Sequence, residues 1–401
     1  MKRAKFFFGF FLALVFISCR PNGKKQNTSK EEPDEIVAAY VWPSCHDESM
    51  VSEKLWSSGI GEWEMIQKAT PHFEGHYQPR IPLWGYQLDD DPNAWKIKIN
   101  AAKSHKVNTF IFDWYWYDGQ PFLEKTVTEG FLEAQNNKEM NFYLMWANHD
   151  VPGNMWNQYR YKNDSLIWTA DVDWKNYEKI VDRIIDEFFT QENYLKIEGA
   201  PIISIYSLEK LLDSFNDMEG VKKAFDHFRA KVRAAGFPAL HIQLVGKYDG
   251  LNPSFGKTLD NVDDIVEELG INSVTLYNMA GNEYRAGDYL EYGDASVHLR
   301  DNWYKELEDK VPFIPCVSVG WDNSPRYNEL GKESIIYYND TPQNFSKYLT
   351  LAKTYLKKTN NKPNMVIINA WNEWVEGSYL EPDEKNGYGY LQAVNKVFAD
   401  E

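Results

Sequence analysis

Glu373 and Glu376 stand three residues apart, between Trp371 and Trp374, in the stretch from Asn369 to Pro382. Paired carboxylates beside aromatic rings suit acid/base work on a sugar. One carboxyl protonates a departing glycosidic oxygen, the other takes a proton or attacks, and flat rings stack on the C–H face of the pyranose. A plainer alternative is a solvated helix start with packed aromatics. Two acids and two tryptophans within six residues weigh against it. Gly377 follows directly and lets the backbone turn.

The elements that must position these residues are legible as an alternation. Apolar, β-rich runs lie at Ile36–Tyr40, Thr109–Asp113, Asn141–Trp146, Pro201–Tyr206, Leu240–Val245, Ser273–Tyr277, Phe313–Val319 and Met365–Ala370. Amphipathic helical patterns fall between them at Ala94–Ser104, Trp174–Phe189, Val221–Ala235, Val262–Leu269, Tyr304–Glu308 and Phe345–Lys358. Near-continuous apolar strands separated by helices predict parallel strands buried on both faces. Eight such units predict an α/β fold of the (β/α)8 TIM barrel type, with elaborated loops at the C-terminal face. No Gly-rich GxGxxG turn follows the first strand, which disfavours a dinucleotide site. The long gap between the first two strands shows few helical signals and reads as a loop over the active face.

In such a barrel the active site forms where the strands end. Those ends supply Trp42 and His46; Asp113, Trp114 and Trp116; Trp146, Asn148 and His149; Tyr206; Lys247 and Tyr248; Tyr277; Trp321; and, with the glutamates, Trp371, Asn372 and Trp374. Rings and hydrogen-bonding groups converging on one rim are the make-up of a carbohydrate groove. Each alone has a packing alternative: Tyr206 or Tyr277 as core, His149 beside Asp150 as an ion pair.

Other motifs carry less. Asp171 and Asp173 resemble the DxD of metal-dependent glycosyltransferases, but they directly precede a helical run, where an N-cap is the better reading. Asp89, Asp90 and Asp91 are acidic enough for Ca²⁺, with a solvated loop start as the default. No G-x-S-x-G elbow and no His/Cys metal cluster is present, so neither a metal nor a cofactor is expected.

The net charge of −16 over 401 residues excludes a basic footprint for nucleic acid. Lys2, Arg3 and Lys5 precede the apolar run Phe6–Ile17 and then Ser18 and Cys19, the pattern of a signal peptide that is too short to span a membrane. Residues 1–18 thus read as a lipoprotein signal, with Cys19 the lipid-bearing residue, although Phe16 stands where Leu is usual. Residues 19–35 read as a flexible tether and 36–401 as the catalytic domain. The expected address is the cell envelope of a bacterium, with membrane attachment only through the lipid. Of the other cysteines, Cys316 reads as a small buried hydrophobe, and whether it pairs with Cys45 is left open.

From Ala38 onward the chain resembles the WbsX-like proteins, related to glycoside hydrolase family 99, the endo-α-mannosidases and endo-α-mannanases. The resemblance rests on Gly61–Trp63, Pro71–Pro79, Asp113–Gly119, Trp146–Asn148 and, most specifically, Trp371–Gly377 continuing to Pro382. It implies a metal-free (β/α)8 barrel with Glu373 and Glu376 as the catalytic pair. It further implies that Glu373 deprotonates the sugar's 2-hydroxyl, which attacks C1 to give a 1,2-anhydro sugar, while Glu376 protonates the leaving oxygen and then activates water. Two departures fall on the rim: the run from Trp42 to His46 replaces the usual Phe-Pro-Asn-Tyr-His, and His149 replaces an acid. The expected function is a retaining α-glycosidase acting on an oligo- or polysaccharide. A glycosyltransferase or transglycosylase and a non-catalytic glycan-binding lipoprotein are the alternatives. Nucleotide-sugar donors are cytosolic, which disfavours the transferase for an exported protein, and a binder has no need of two acids.

Overall fold

Parallel strands buried on both faces need mostly apolar side chains, and the chain supplies them, with a few buried polar groups such as Asp113, Gln243 and Thr275 among them. All six residues of β1 (Ile36–Val41) are buried, as are all nine of β2 (Thr109–Tyr117) and all six of β3 (Asn141–Trp146). Further on come β4 (Ala200–Ile205), β5 (His241–Gly246), β6 (Ser273–Leu276), β7 (Phe313–Ser318, interrupted at Pro315) and β8 (Met365–Asn369). The computed structural model describes residues 33–246, 262–279, 289–292, 311–327, 336–359 and 362–399.

Every neighbouring pair around the ring is parallel, from β1 beside β2 (Ala38 opposite Thr109) to β1 beside β8 (Ile36 opposite Met365). β7 completes the closure in two pieces. Phe313 and Ile314 pair with Val274 and Thr275 of β6, and Cys316–Ser318 pair with Ile367–Asn369 of β8. Pro315 has no N–H to give a ladder, so the strand changes partner there, while its carbonyl still accepts from Ile367 N at 2.9 Å. The expected (β/α)8 barrel is the observed fold.

Helices surround the ring: α1 (Pro92–Ser104), α2 (Trp174–Arg183), α3 (Met218–Ala234), α4 (Val262–Leu269), α5 (Pro342–Thr359) and α6 (Gly389–Phe398). Their starts are chemically marked. Asp91 caps α1 with Pro92 at its first position, and Asp173 accepts from Asn176 N at the start of α2, the role expected of it. α2 passes into a π-helical turn, Ile184–Phe189, where one long helix was expected. The expected helix at Tyr304–Glu308, the strand-end pair Lys247 and Tyr248, and everything before residue 33 lie outside the described residues.

Two readings of the β1–β2 connection are corrected. It holds two short helices, Ser49–Lys54 and Trp63–Lys68, besides α1. Asp89 is not a solvated residue: it is fully buried, bound by Lys98 Nζ at 2.7 Å and by Cys45 N at 3.1 Å. Packing of α1 on the barrel takes both charges out of water together, and each is kept there by the other, since either one left alone would cost far more.

β2 outruns its expected end because it folds back on itself. Tyr117 pairs with Gln120 across Asp118 and Gly119, both at positive φ (52° and 77°), a two-residue turn whose twist suits a hairpin. That Asp-Gly dipeptide is the sequence signal for the extension. Cys45 and Cys316 are both free and buried, and burial pushes each thiol pKa up, which fits small apolar packing groups.

Candidate active site

After β8 the chain makes a tight loop rather than a helix. Asn372–Glu373 pairs antiparallel with Ser378–Tyr379, and Trp374–Glu376 between them form a single 3-10 turn. In such a turn residues three apart lie nearly above one another, so Glu373 and Glu376 emerge on one side. Gly377 ends the turn at φ +64°, where a side chain would press on Arg80 (2.8 Å) and on Asp322 (2.9 Å).

One cation serves both acids. Arg326, in the 3-10 turn Ser324–Arg326 after β7, places Nη1 2.5 Å from Glu376 Oε1 and Nη2 3.3 Å from Glu373 Oε1. Its Nε lies 3.3 Å from Glu62 Oε1, so one guanidinium is divided among three carboxyls. Burial raises the Glu373 pKa well above the usual carboxylate range, the charge of Glu376 adds to this, and Arg326 opposes it. Burial also raises Glu376, but there the charge and hydrogen bond of Arg326 oppose it more directly. The pair therefore holds a proton readily, and the longer contact of Glu373 with the cation favours it as the bearer in the free cavity.

Both glutamates line a cavity of about 330 Å³. Asp113 faces it from β2. Its Oδ2 accepts from Tyr277 Oη at 2.9 Å, its Oδ1 has no partner among the described residues, and burial raises its pKa well above the ordinary value. Trp42, Tyr115, Trp156, Tyr206 and Tyr277 supply aromatic walls, with His149 at one side. Toward the mouth Lys210 bridges Asp150 (3.1 Å) and Asp171. The arrangement can donate a proton, accept one and stack a ring, all within one enclosure.

Of the residues expected on the rim, Trp42, Asp113, His149, Tyr206, Tyr277, Glu373 and Glu376 come together on this wall. The others stand behind it. Trp114 turns to the opposite face of β2 from Asp113 and donates to Glu124 Oε1 at 2.8 Å, and Trp116 leans on it. Trp146 packs on Tyr177 of α2. Alternation along a strand is the reason: Asp113 and Tyr115 look inward, so Trp114 and Trp116 cannot. Asn148 clips the Ser207 backbone from both sides (2.7 and 2.8 Å), and Asn372 does the same to Trp42 (2.9 and 2.8 Å). His46 is fully buried against Thr126 and Glu48. Trp321 joins a separate cluster with Tyr292 and Tyr337. Trp371 is fully buried, edge-on to Phe110, and Trp374 stacks on Tyr379 at 3.7 Å with its indole on Glu381. The two tryptophans that flank the glutamates thus build the loop's foundation, not its sugar-facing surface.

Sequence reasoning passed over Arg326, Glu62 and Trp156 as site residues, and it placed Tyr115 on the rim only as part of the aromatic run after Asp113. Arg326 sits seven residues beyond the apolar run that ends at Val319, and nothing local marks it. Glu62, next to Trp63 in one of the matching segments, offered the only clue.

A closed (β/α)8 barrel with buried acids at its strand ends has a glycoside hydrolase-like fold. The chain belongs to the WbsX family: the family model described as "Glycosyltransferase WbsX" matches residues 37–394. It is 29% identical over 386 residues to the Uncharacterized protein WxcX of Xanthomonas campestris pv. campestris, covering 91% of this chain and 50% of that protein. The chain thus spans about half the length of the curated relatives it matches. Among solved structures it is similar to a glycoside hydrolase-like protein (TM-score 0.59, 15% identity, 93% of this chain and 96% of that one). It is also similar to the GH99 endo-alpha-mannosidase from Bacteroides thetaiotaomicron (TM-score 0.55, 12% identity, 92% and 97%). At these identities the likeness is one of fold.

Proposed function

We propose that this protein is a retaining glycoside hydrolase that cleaves an α-linked glycan, with Glu373 and Glu376 as its catalytic pair and the substrate's own 2-hydroxyl as the first nucleophile. The observation that carries the reading is the single guanidinium touching both glutamates, which open from one turn into one cavity. An ordinary retaining pair stands on opposite sides of the anomeric carbon, about 5–5.5 Å apart. Two acids presented from one side suit a different division of labour. Glu373 takes the proton from O2, O2 closes on C1, and Glu376 gives its proton to the departing oxygen. Glu376 then takes a proton from water as the water opens the 1,2-anhydro ring at C1, and O2 recovers its proton from Glu373. An α-manno sugar sets O2 anti to the leaving group, so the closure is in line.

This scheme needs the pair's proton on Glu376, whereas the free cavity favours Glu373. A sugar hydroxyl pressed on Glu373 stabilises its ionised form, and the guanidinium, already in contact with both, follows the charge. The aromatic walls would hold the pyranose faces, and Asp113 Oδ1, without a partner among the described residues, would take one hydroxyl.

Release of new reducing ends from an α-mannan by the wild type is the expected result, with none from Glu376→Gln. Binding of the mannan without release by the wild type would reduce the protein to a lectin. The family description favours a transferase as the second reading. Longer products formed on an added sugar acceptor, with little hydrolysis, would decide for it.

The proposed address is the bacterial cell envelope, through a lipid on Cys19. Cys19→Ala is expected to leave membrane fractions or keep its leader. Unchanged membrane association with a normal mature N-terminus, read by fractionation and intact mass, would overturn the anchor.

A further inference from the structure

Glu62 is not part of the cavity wall, yet it is wired to the chemistry there. It is 1% exposed, a carboxylate taken out of water with every contact fixed. Oε2 accepts from the Trp42 indole at 2.5 Å and from Ser44 Oγ at 3.0 Å, and Oε1 faces Arg326 Nε at 3.3 Å. The preceding residue has to be glycine. Gly61 sits at φ +59°, and a Cβ there would fall 1.9 Å from the Ser44 carbonyl oxygen. Both oxygens of Glu62 are engaged, and its links toward the cavity are the Trp42 indole, a neutral wall group, and the Arg326 guanidinium, the one that carries charge.

We propose that Glu62 is a positioning residue of the cavity pair: by holding one edge of Arg326 it decides how much of that positive charge reaches Glu373 and Glu376, and so how firmly the pair keeps its proton. A cation given wholly to the pair would leave two ionised acids and no proton donor. A pair with no cation would hold its proton too tightly to present a base. Arg326 split three ways lies between these limits. The groups facing it are Glu62, Glu373, Glu376 and Tyr327, and those facing the pair from the other strands are Asp113, Tyr115, Tyr206 and Tyr277. Among these, Glu62 is the acid that binds Arg326 without lining the cavity. The catalytic meaning rests on the hydrolase reading above. The charge division does not, because it concerns the free protein.

The test is an infrared titration of the protonated-carboxyl band in full-length protein labelled with [13C]glutamate, without substrate, with Glu373→Gln and Glu376→Gln assigning the band. Glu62→Gln removes a negative charge and releases Arg326 to the pair, so the pair should lose its proton at lower pH. Arg326→Met should move the loss to higher pH, and Arg326→Lys should restore most of it. An adjacent charge typically shifts a carboxyl by about one to three pH units. Mere loosening of the site would admit water and move both variants toward ordinary carboxylate behaviour, in the same direction. Shifts of one sign in both variants, or no shift in Glu62→Gln, would overturn the proposal. Should Glu62→Gln not fold, Glu62→Asp, which draws the charge back from Arg326, should give a smaller shift of the same sign. A protein that cleaves no glycan can still pass or fail this titration, so the two readings stand or fall separately.

Discussion

Glu376→Gln is expected to lose about 10²–10⁴ of the wild-type rate on a natural glycan, the usual worth of general acid assistance, and to regain most of it on a substrate with a good leaving group. Such a group departs without a proton, so the missing acid ceases to matter for the first step. Glu373→Gln should fall by a similar factor and stay slow with every leaving group, because O2 keeps its proton and cannot close on C1. Steady-state and burst kinetics on aryl glycosides of graded leaving-group acidity separate the two. The assignment is open to reversal on the same data. If Glu373→Gln is the variant rescued, the resting proton on Glu373 is the catalytic one and the roles exchange. The wild-type product should keep its anomeric configuration by NMR, and a 2-deoxy substrate should barely react. Rapid turnover of that 2-deoxy substrate would falsify participation of O2.

Asp322→Ala should cost about 3–5 kcal/mol of stability, the usual penalty for removing one partner of a buried ion pair. Asp322 Oδ2 accepts from His76 Nε2 at 2.9 Å, Gln78 Nε2 at 2.8 Å and Arg80 Nη2 at 3.2 Å. His76 Nδ1 accepts from His72 N, which places the hydrogen on Nε2 for this bond. The alanine would leave the buried Arg80 without its carboxylate. Asp322 also carries the site. Its Oδ1 accepts from Ser324 N at 3.1 Å at the head of the Arg326 turn, and its own N donates to the Glu376 carbonyl at 2.6 Å. Activity should therefore fall together with stability.

The pH dependence of that contribution has a definite sign. Burial alone would raise the Asp322 carboxyl, but the hydrogen bond from His76 and the charge of Arg80 outweigh it and hold the carboxyl well below the usual range. A group depressed on folding stabilises fully above its unfolded pKa, about 3.9, and loses this contribution as pH falls further. Urea unfolding should show the full Asp322→Ala deficit at pH 7 and a shrinking one below about pH 4. A deficit that does not change with pH would show that lost packing, not charge, is its source.

The strands were legible to within a few residues because apolar periodicity is local: each run announces itself without its neighbours. The barrel followed from their number and spacing. The hairpin from Tyr117 to Gln120 was written in Asp118 and Gly119 and passed over, since the aromatic run before them read as rim chemistry. The rim itself was over-read, because strand ends were taken whole. Whether Trp114 or Asp113 enters the cavity depends on which face of β2 turns inward, and that phase is set by closure of the barrel.

The sequence by itself determined eight strands, the helices between most of them and the local pairing of Glu373 with Glu376, since three residues on one turn need no distant partner. Only the tertiary structure decided which cation they share. Arg326 lies 47 residues before Glu373 along the chain, and Glu62 lies 264 residues before Arg326. Their meeting depends on β7 and the β1–β2 connection arriving at one rim. It is at that meeting that burial and divided charge set where the proton rests. Nothing in the local pattern of residues carries that information, because the forces that decide it, desolvation and Coulomb attraction, act between groups that only the closed barrel brings together.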